Sequence, residues 1–274
     1  MLREITLGQF FPGKSILHKM DSRMKIILLT AYIVFIFLSE NYVSLAIISF
    51  SVFGIICISR VSPKLYFKSI KAIIVIVLFT SALNLFYGTG DPIWQWGFLK
   101  ITSAGINTAV FVAVRIICLV LVSSVLTYTT SPTDLTDGIE RLLKPLSIFH
   151  IKVHEIAMMM TIALRFIPTL LEETDKIMSA QKARGADFES GNLINRIKAL
   201  IPILVPLFVS AFRRAYELAM AMESRCYHGG DGRSRMRVMK YTKYDYISLA
   251  VVCVLFIGVI TCNIVLPETI RSGM

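Results

Sequence analysis

Charge is scarce in this chain. Only 17% of its 274 residues are Asp, Glu, Lys or Arg, against 55% hydrophobic, a balance too apolar for an ordinary soluble domain. Cysteine is sparse too. Cys57, Cys118, Cys253 and Cys262 fall inside apolar stretches and Cys226 in a basic one, so neither a disulfide framework nor metal-binding spacing results. Gly229-Gly230-Asp231-Gly232 lacks the glycine-to-lysine spacing and the following Ser or Thr of a phosphate-binding loop, so no ATP site is visible. Met1 to Met20 has no apolar core followed by a small-residue cleavage site, and no removable signal peptide is expected. The formal net charge is +11, but the basic residues lie between apolar runs rather than in one block. That argues for membrane topology signals and against a nucleic-acid groove.

Long apolar runs are what the sequence does have. A helical span needs about 20 apolar residues, because each backbone polar group must be satisfied within the segment. Met24 to Leu38, Tyr42 to Ile58, Ile70 to Tyr87, Ile106 to Tyr128 and Tyr244 to Leu266 qualify or nearly so. The first two are short, and one long bent helix is the alternative; Ser39-Glu40-Asn41 reads better as a tight turn between two. Arg3, Lys14, Lys19, Arg23 and Lys25 precede the first span, and Arg60, Lys64, Lys68 and Lys71 separate the second from the third. The alternate connections hold only Glu40, the pair Asp91 and Lys100, and Glu268 with Arg271. The excess of positive charge predicts the N-terminus inside and the C-terminus outside, with Trp94 and Trp96 in an outer aromatic belt.

Between Thr129 and Lys243 the reading is different. Ile156 to Leu171 and Ala199 to Phe212 are apolar, yet if both crossed, Lys176, Lys182, Arg184, Arg196 and Lys198 would lie outside. Both are short, and Arg165, Pro168, Pro202 and Pro206 interrupt them. They are expected to be long helices lying against the cytoplasmic face. Ser131-Pro132-Thr133-Asp134 has the residues of a helix start, and Leu135, Ile139, Leu142, Leu143 and Leu146 follow at helical spacing. Two further helices are predicted, from about Lys152 to Arg184 and from about Leu193 to Arg225.

Each of those two helices ends on an arginine, in Ala183-Arg184-Gly185 and Ser224-Arg225-Cys226, about 41 residues apart. One such arginine is ordinary helix-end chemistry. A pair of exposed guanidinium groups on two helix ends fits two similar acidic grooves on a dimeric partner, since guanidinium binds carboxylates bidentately and stays charged when desolvated. Met158, Met159, Met160, Met178, Met220 and Met222 concentrate on the same helices, either as core filling or as a surface able to repack against several partners. His150 and His154 have the spacing of a metal pair but no third ligand, and read as solvated or interfacial. Glu172, Glu173 and Asp175 read as a solvated face offset by Lys176 and Lys182. Arg115 lies deep in the fourth span, so a backbone carbonyl, Asn84 or a neighbouring subunit is expected to pair with it, as packing or as a functional contact.

The stretch from Pro12 to Lys25, Pro-Gly-Lys-Ser-Ile-Leu-His-Lys-Met-Asp-Ser-Arg-Met-Lys, resembles the Pro-Gly-x-Ser-x-Leu-His-x-Leu-Asp-Pro-Arg-x-Lys stretch of the transmembrane T component of energy-coupling factor (ECF) transporters. Met20 and Ser22 depart from it. Thr130-Ser131-Pro132, Leu164-Arg165-Phe166-Ile167-Pro168, Glu172-Glu173 and Gln181-Lys182-Ala183-Arg184-Gly185 are similar to the same family. The resemblance covers nearly the whole chain. It implies that the two arginine motifs end coupling helices docked in grooves of two ATPase subunits; the first matches in full, and the second keeps only Arg225. It implies a bacterial importer of vitamins or metal ions, with ATP and Mg bound by the partner subunits and no cofactor on this chain. ATP-driven motion would pass to a separate substrate-binding membrane subunit, which selects the substrate and topples in the bilayer.

The expectation is therefore an all-α integral membrane protein with about five transmembrane helices, and three long cytoplasmic coupling helices between the fourth and fifth spans. Residues 1–130 form the first four spans, 131–243 the coupling domain and 244–274 the last span. A membrane-embedded enzyme is the rival from another class, but no span carries paired carboxylates and no nucleophile has an evident base. An autonomous secondary transporter is the other rival, but inverted repeats and broken spans are not evident.

Overall fold

In the computed structural model the described residues are 9–86, 92–96, 99–186, 188, 193–229 and 239–265. They form helices α1 (Ile16–Lys19), α2 (Ser22–Leu38), α3 (Tyr42–Ser59) and α4 (Pro63–Phe86), a hairpin of β1 (Pro92–Trp96) and β2 (Leu99–Thr102), then α5 (Ser103–Thr129), α6 (Pro132–Leu143), α7 (Val153–Ala183), α8 (Leu193–Glu223) and α9 (Lys243–Val265). The protein is an all-α integral membrane protein. The antiparallel hairpin differs from the expected loop after Tyr87; its strands are only five and four residues long, so their alternation in Trp94-Gln95-Trp96 and Leu99-Lys100-Ile101-Thr102 is a weak signal. The side chains of Trp94 and Trp96, with Arg3, Asp91, Lys100, Glu268 and Arg271, lie outside the described residues.

The chain divides into two compact units, one from Gly8–Gly138 with Met239–Met274 and the other around Ile139–Val238. In the first, α2, α3, α5 and α9 share a core of Tyr32, Phe35, Ile36, Ile48, Val52, Cys118, Val122, Val252 and Val259, with the Phe35 and Phe256 rings stacked at 4.5 Å. The helix α4 packs along α5. It buries only Tyr66 and Val77 while Phe67, Val75, Leu78 and Phe79 stand 63–72% exposed. A helix apolar on its exposed faces belongs in hydrocarbon rather than water.

Among the described residues five helices are long and apolar enough to cross a membrane: α3, α4, α5, α7 and α9. The number matches the expectation, but its membership does not. The first expected span is α2, which with 17 residues is shorter than those five. It nevertheless belongs to the same bundle, since it packs on α5 and α9 and buries Ile36 completely. The unexpected member is α7, the least apolar of the five. The observed α4 also begins at Pro63, so Lys64, Lys68 and Lys71 sit on its first turns rather than in a loop. Proline is compatible with a first helical position because its missing N–H would be unpaired there.

Met24 to Ile58 is two helices, broken at Ser39-Glu40-Asn41. Side chains from α5 and α9 accommodate the break. The Arg115 guanidinium donates to the Ser39 carbonyl at 2.7 Å, and the Asn263 amide to the Leu38 carbonyl at 2.8 Å. Arg115 also lies over the Phe111 ring, 4.7 Å from its centroid. The expected carbonyl partner is therefore present, while Asn84 donates instead to Thr80 of its own helix.

The Pro12-to-Lys25 stretch is a polar knot, exposed at its start and buried at Ser15, from Met20 to Ser22 and at Lys25. His18 takes up Ser15 at 2.6 Å and the Phe11 carbonyl at 2.9 Å through its two ring nitrogens. A Cβ at Gly13 would come within 2.7 Å of that ring, which explains the glycine. Asp21 accepts the Arg23 N–H at 2.9 Å, capping α2, and pairs with the Arg23 guanidinium at 2.6 Å. Lys25 donates to the Thr129 carbonyl at 2.9 Å and to the Thr130 hydroxyl at 3.2 Å, satisfying the end of α5. Fully buried Asp245 closes the knot. One of its oxygens accepts the Thr242 N–H at 2.6 Å, capping α9, and the other accepts the Asp21 N–H at 3.1 Å. Asp245→Ala leaves the buried Asp21 N–H and the partly buried Thr242 N–H without their acceptor. It is expected to cost about 3 kcal/mol, read as a lower midpoint of thermal unfolding in detergent; an unchanged midpoint contradicts the role assigned to Asp245.

Candidate functional site

The second unit is built on α7 and α8, which pack together. Glu173 of α7 accepts the Ser210 hydroxyl and, at 2.9 Å, the Arg214 guanidinium, both from α8. Further along α7, the Gln181 amide donates to the Pro202 carbonyl at 3.5 Å. Pro206 has no N–H to give that carbonyl within the helix, so Gln181 supplies the missing donor. Partner numbers fall on α8 as they rise on α7, so the two helices run antiparallel. Their C-terminal ends therefore point in opposite directions.

Both ends finish in the same way. At the end of α7 the Gly185 N–H reaches the Lys182 carbonyl at 3.0 Å and the Ala186 N–H reaches Gln181 at 3.0 Å; Gly185 takes φ +86°. At the end of α8 the Cys226 N–H reaches Glu223 at 2.9 Å and the Tyr227 N–H reaches Met222 at 3.1 Å; Cys226 takes φ +54°. These are two Schellman caps in identical register. Arg184 and Arg225 each occupy the position just before the left-handed residue, and both are exposed. Ser224 and Cys226 stand where the first motif has Ala183 and Gly185, yet Cys226 adopts the glycine geometry. At ~1.5 Å per residue, the stretch from Pro202 to Arg225 separates the two arginine-bearing ends by roughly 35 Å along the helix axis.

The methionines do not form one patch. Met159, Met160 and Met220 are exposed, whereas Met158, Met178 and Met222 are half-buried. The larger apolar surface is one that composition alone concealed. Ile194, Ile197, Ile201, Leu204, Phe208, Phe212 and Tyr216 recur along α8 at helical spacing, each 46–73% exposed. Spacing analysis of α8, rather than a search for methionine, finds it.

Glu173 is not part of a solvated acidic face. Its partners come from α8, and its side chain is 22% exposed. His154 likewise pairs not with His150 but with Glu140, its Nδ1 2.9 Å from the carboxylate. His150 ends the 3-10 turn Lys144–Phe149 in the left-handed conformation. That turn cuts α6 to 12 residues, and Leu146, expected on the helix, lies in it. Pro145 accounts for the change, since its missing N–H disrupts the α-helical ladder.

A bundle of apolar helices, together with two long, arginine-terminated helices, defines a polytopic membrane protein. The chain belongs to the family of ECF transporter transmembrane proteins. The CbiQ family model, described as "Cobalt transport protein", matches residues 13–238. The "Energy-coupling factor transporter transmembrane protein EcfT" of Ruminiclostridium cellulolyticum is 51% identical over 260 residues, 95% of this chain and 97% of that protein. Its counterpart of the same name from Clostridium kluyveri is 51% identical over 261 residues, covering 93% and 96%. The Bacillus subtilis protein of that name is 45% identical over 246 residues, covering 89% and 93%. This protein is thus a membrane component of a transporter.

The two caps differ in strain. Gly185→Ala puts a Cβ on a left-handed residue and is expected to destabilise the protein by about 1 kcal/mol, while Cys226→Gly relieves the same strain and stabilises it by up to about 1 kcal/mol. Unfolding of the two variants in detergent should shift in opposite directions; shifts of the same sign contradict the shared geometry.

Proposed function

We propose that this chain is the coupling subunit of an ECF-type importer, transmitting ATP-driven motion of two ATPase subunits to a substrate-binding membrane subunit. The observation that carries the reading is the pair of matched caps, which present Arg184 and Arg225 identically on two ends roughly 35 Å apart. Two equivalent contacts at that spacing suit a partner with two similar subunits. A guanidinium held just before the cap is ready for a bidentate carboxylate, with Ala183, Gly185, Ser224 and Cys226 shaping each tip. ATP and Mg then belong to the partners, where hydrolysis occurs, and this chain binds no cofactor.

In this reading residues 1–130 and 244–274 form the membrane domain and 131–243 the coupling domain. The helix α7 lies at the cytoplasmic surface although it is long enough to span. If it crossed, Arg165 and Pro168 would interrupt the crossing, and its basic end with Arg184 would face outward. The N-terminus is inside and the C-terminus outside, in a bacterial cytoplasmic membrane. The apolar stripe of α8, with Met158, Met159, Met160, Met178, Met220 and Met222 on the two helices, faces the substrate-binding subunit. Methionine's adaptable side chain suits several interchangeable partners of that kind. The imported vitamin or metal ion is chosen by that subunit.

Tagged protein, extracted gently from native membranes, is expected to bring down two nucleotide-binding subunits and one or more small membrane proteins. The double variant Arg184→Ala/Arg225→Ala should lose the ATPases while remaining folded, since each lost pairing costs about 3–5 kcal/mol at a desolvated interface. ATPases retained by the double variant would reduce the arginines to ordinary helix caps.

A further inference from the structure

Glu173 joins α7 to α8 in a way an apolar contact does not. One carboxylate oxygen takes the Ser210 hydroxyl and the other takes the Arg214 guanidinium at 2.9 Å. Ser210 and Arg214 are one helical turn apart on α8, so a single carboxylate engages two successive turns. Sliding α8 by one turn, about 5.4 Å, breaks at least one of these bonds and leaves a charged group unpaired in a partly covered position. The Gln181-to-Pro202 bond at 3.5 Å supplies a second point of attachment roughly 12 Å further along α7. Two attachments set both register and crossing angle, whereas one would act as a hinge. Gln181's bond is long and neutral, so Glu173 bears most of the constraint.

We infer that Glu173 is a positioning residue for coupling. It locks α7 and α8 into one rigid pair, so that displacement of either arginine-bearing end is carried to the rest of the pair instead of being absorbed where the helices meet. The inference rests on the coupling reading above and adds to it the place where the two arms are held. Apolar contact is non-directional and tolerates rotation and slip, while a charge-assisted pair of hydrogen bonds fixes one geometry.

The test uses the whole complex reconstituted with its ATPases and small membrane subunit. Spin labels are placed on Ala180→Cys near the end of α7 and Ala221→Cys near the end of α8, with Cys57, Cys118, Cys226, Cys253 and Cys262 replaced. With Glu173 intact, the label-to-label distance should be narrowly distributed and unchanged on adding ATP, because a rigid pair moves without changing its internal distances. Glu173→Ala should lose both the narrowness and the constancy, the distance broadening and changing on adding ATP while the complex stays assembled and still hydrolyses ATP. The charge swap Glu173→Arg/Arg214→Glu should restore both, a recovery that a merely structural loss would not show. A narrow distribution that ATP leaves unchanged in Glu173→Ala overturns the proposal, as do an ATP-dependent distance with Glu173 intact and disassembly of both the alanine variant and the charge swap. If Arg184→Ala/Arg225→Ala keeps its ATPases in the same preparation, the coupling reading itself fails and the positioning role falls with it.

Discussion

Helix ends govern this molecule. An α-helix finishes with backbone groups that it cannot pair itself, and neither a packed bundle nor hydrocarbon offers water in their place. In the first unit the solution is side-chain capping, local at the helix starts and from distant sequence at the helix ends. Asp21 caps α2, Thr102 caps α5 and Asp245 caps α9. Lys25, Arg115 and Asn263 satisfy carbonyls at the ends of α5 and α2. At α7 and α8 the solution is internal, because a left-handed residue folds the chain back on its own last turn. An end that caps itself leaves its terminal arginine uncommitted, and that difference separates the structural unit from the one proposed to meet partners.

The Pro12-to-Lys25 stretch shows how a motif can be conspicuous for a structural reason. Its glycine makes room for His18, its aspartate caps a helix, its arginine pairs with that aspartate and lies 4.2 Å from the Tyr241 ring centroid, and its lysine closes the end of α5. Asp245 joins in from residues far along the chain. The start of the first bundle helix and the start of the last are thereby set against each other, which anchors the framework from which the long helices depart.

Much of this was legible in sequence, and the misses have physical causes. Apolar runs revealed the bundle helices because hydrocarbon demands such runs. Their ends were less legible, since Pro63 at a first helical position and exposed Lys64, Lys68 and Lys71 on the first three turns look like loop chemistry. The two strands between Pro92 and Thr102 do alternate, in Trp94-Gln95-Trp96 and Leu99-Lys100-Ile101-Thr102, but runs this short say little on their own. Glu173 was misjudged because Lys176 and Lys182 offered nearby charge compensation, whereas Arg214 and Ser210 are brought to it only by the packing of α8. The matched ends were legible as Arg184 and Arg225, but not the geometry at Cys226, because left-handed backbone is ordinarily announced by glycine. The apolar stretch Ala199 to Phe212 is legible in sequence, but which of its residues stay exposed is set only by the packing of α7 on α8.

Contact at both arginine-bearing ends at once is what most directly distinguishes a coupling subunit from a bundle with two ordinary helix caps. A photo-crosslinking residue placed at position 184 or 225 in native membranes addresses it. Each position is expected to capture an ATPase subunit, with yields that change when a non-hydrolysable ATP analogue is added. Capture of lipid alone at either position, or yields indifferent to nucleotide at both, contradicts coupling through these ends.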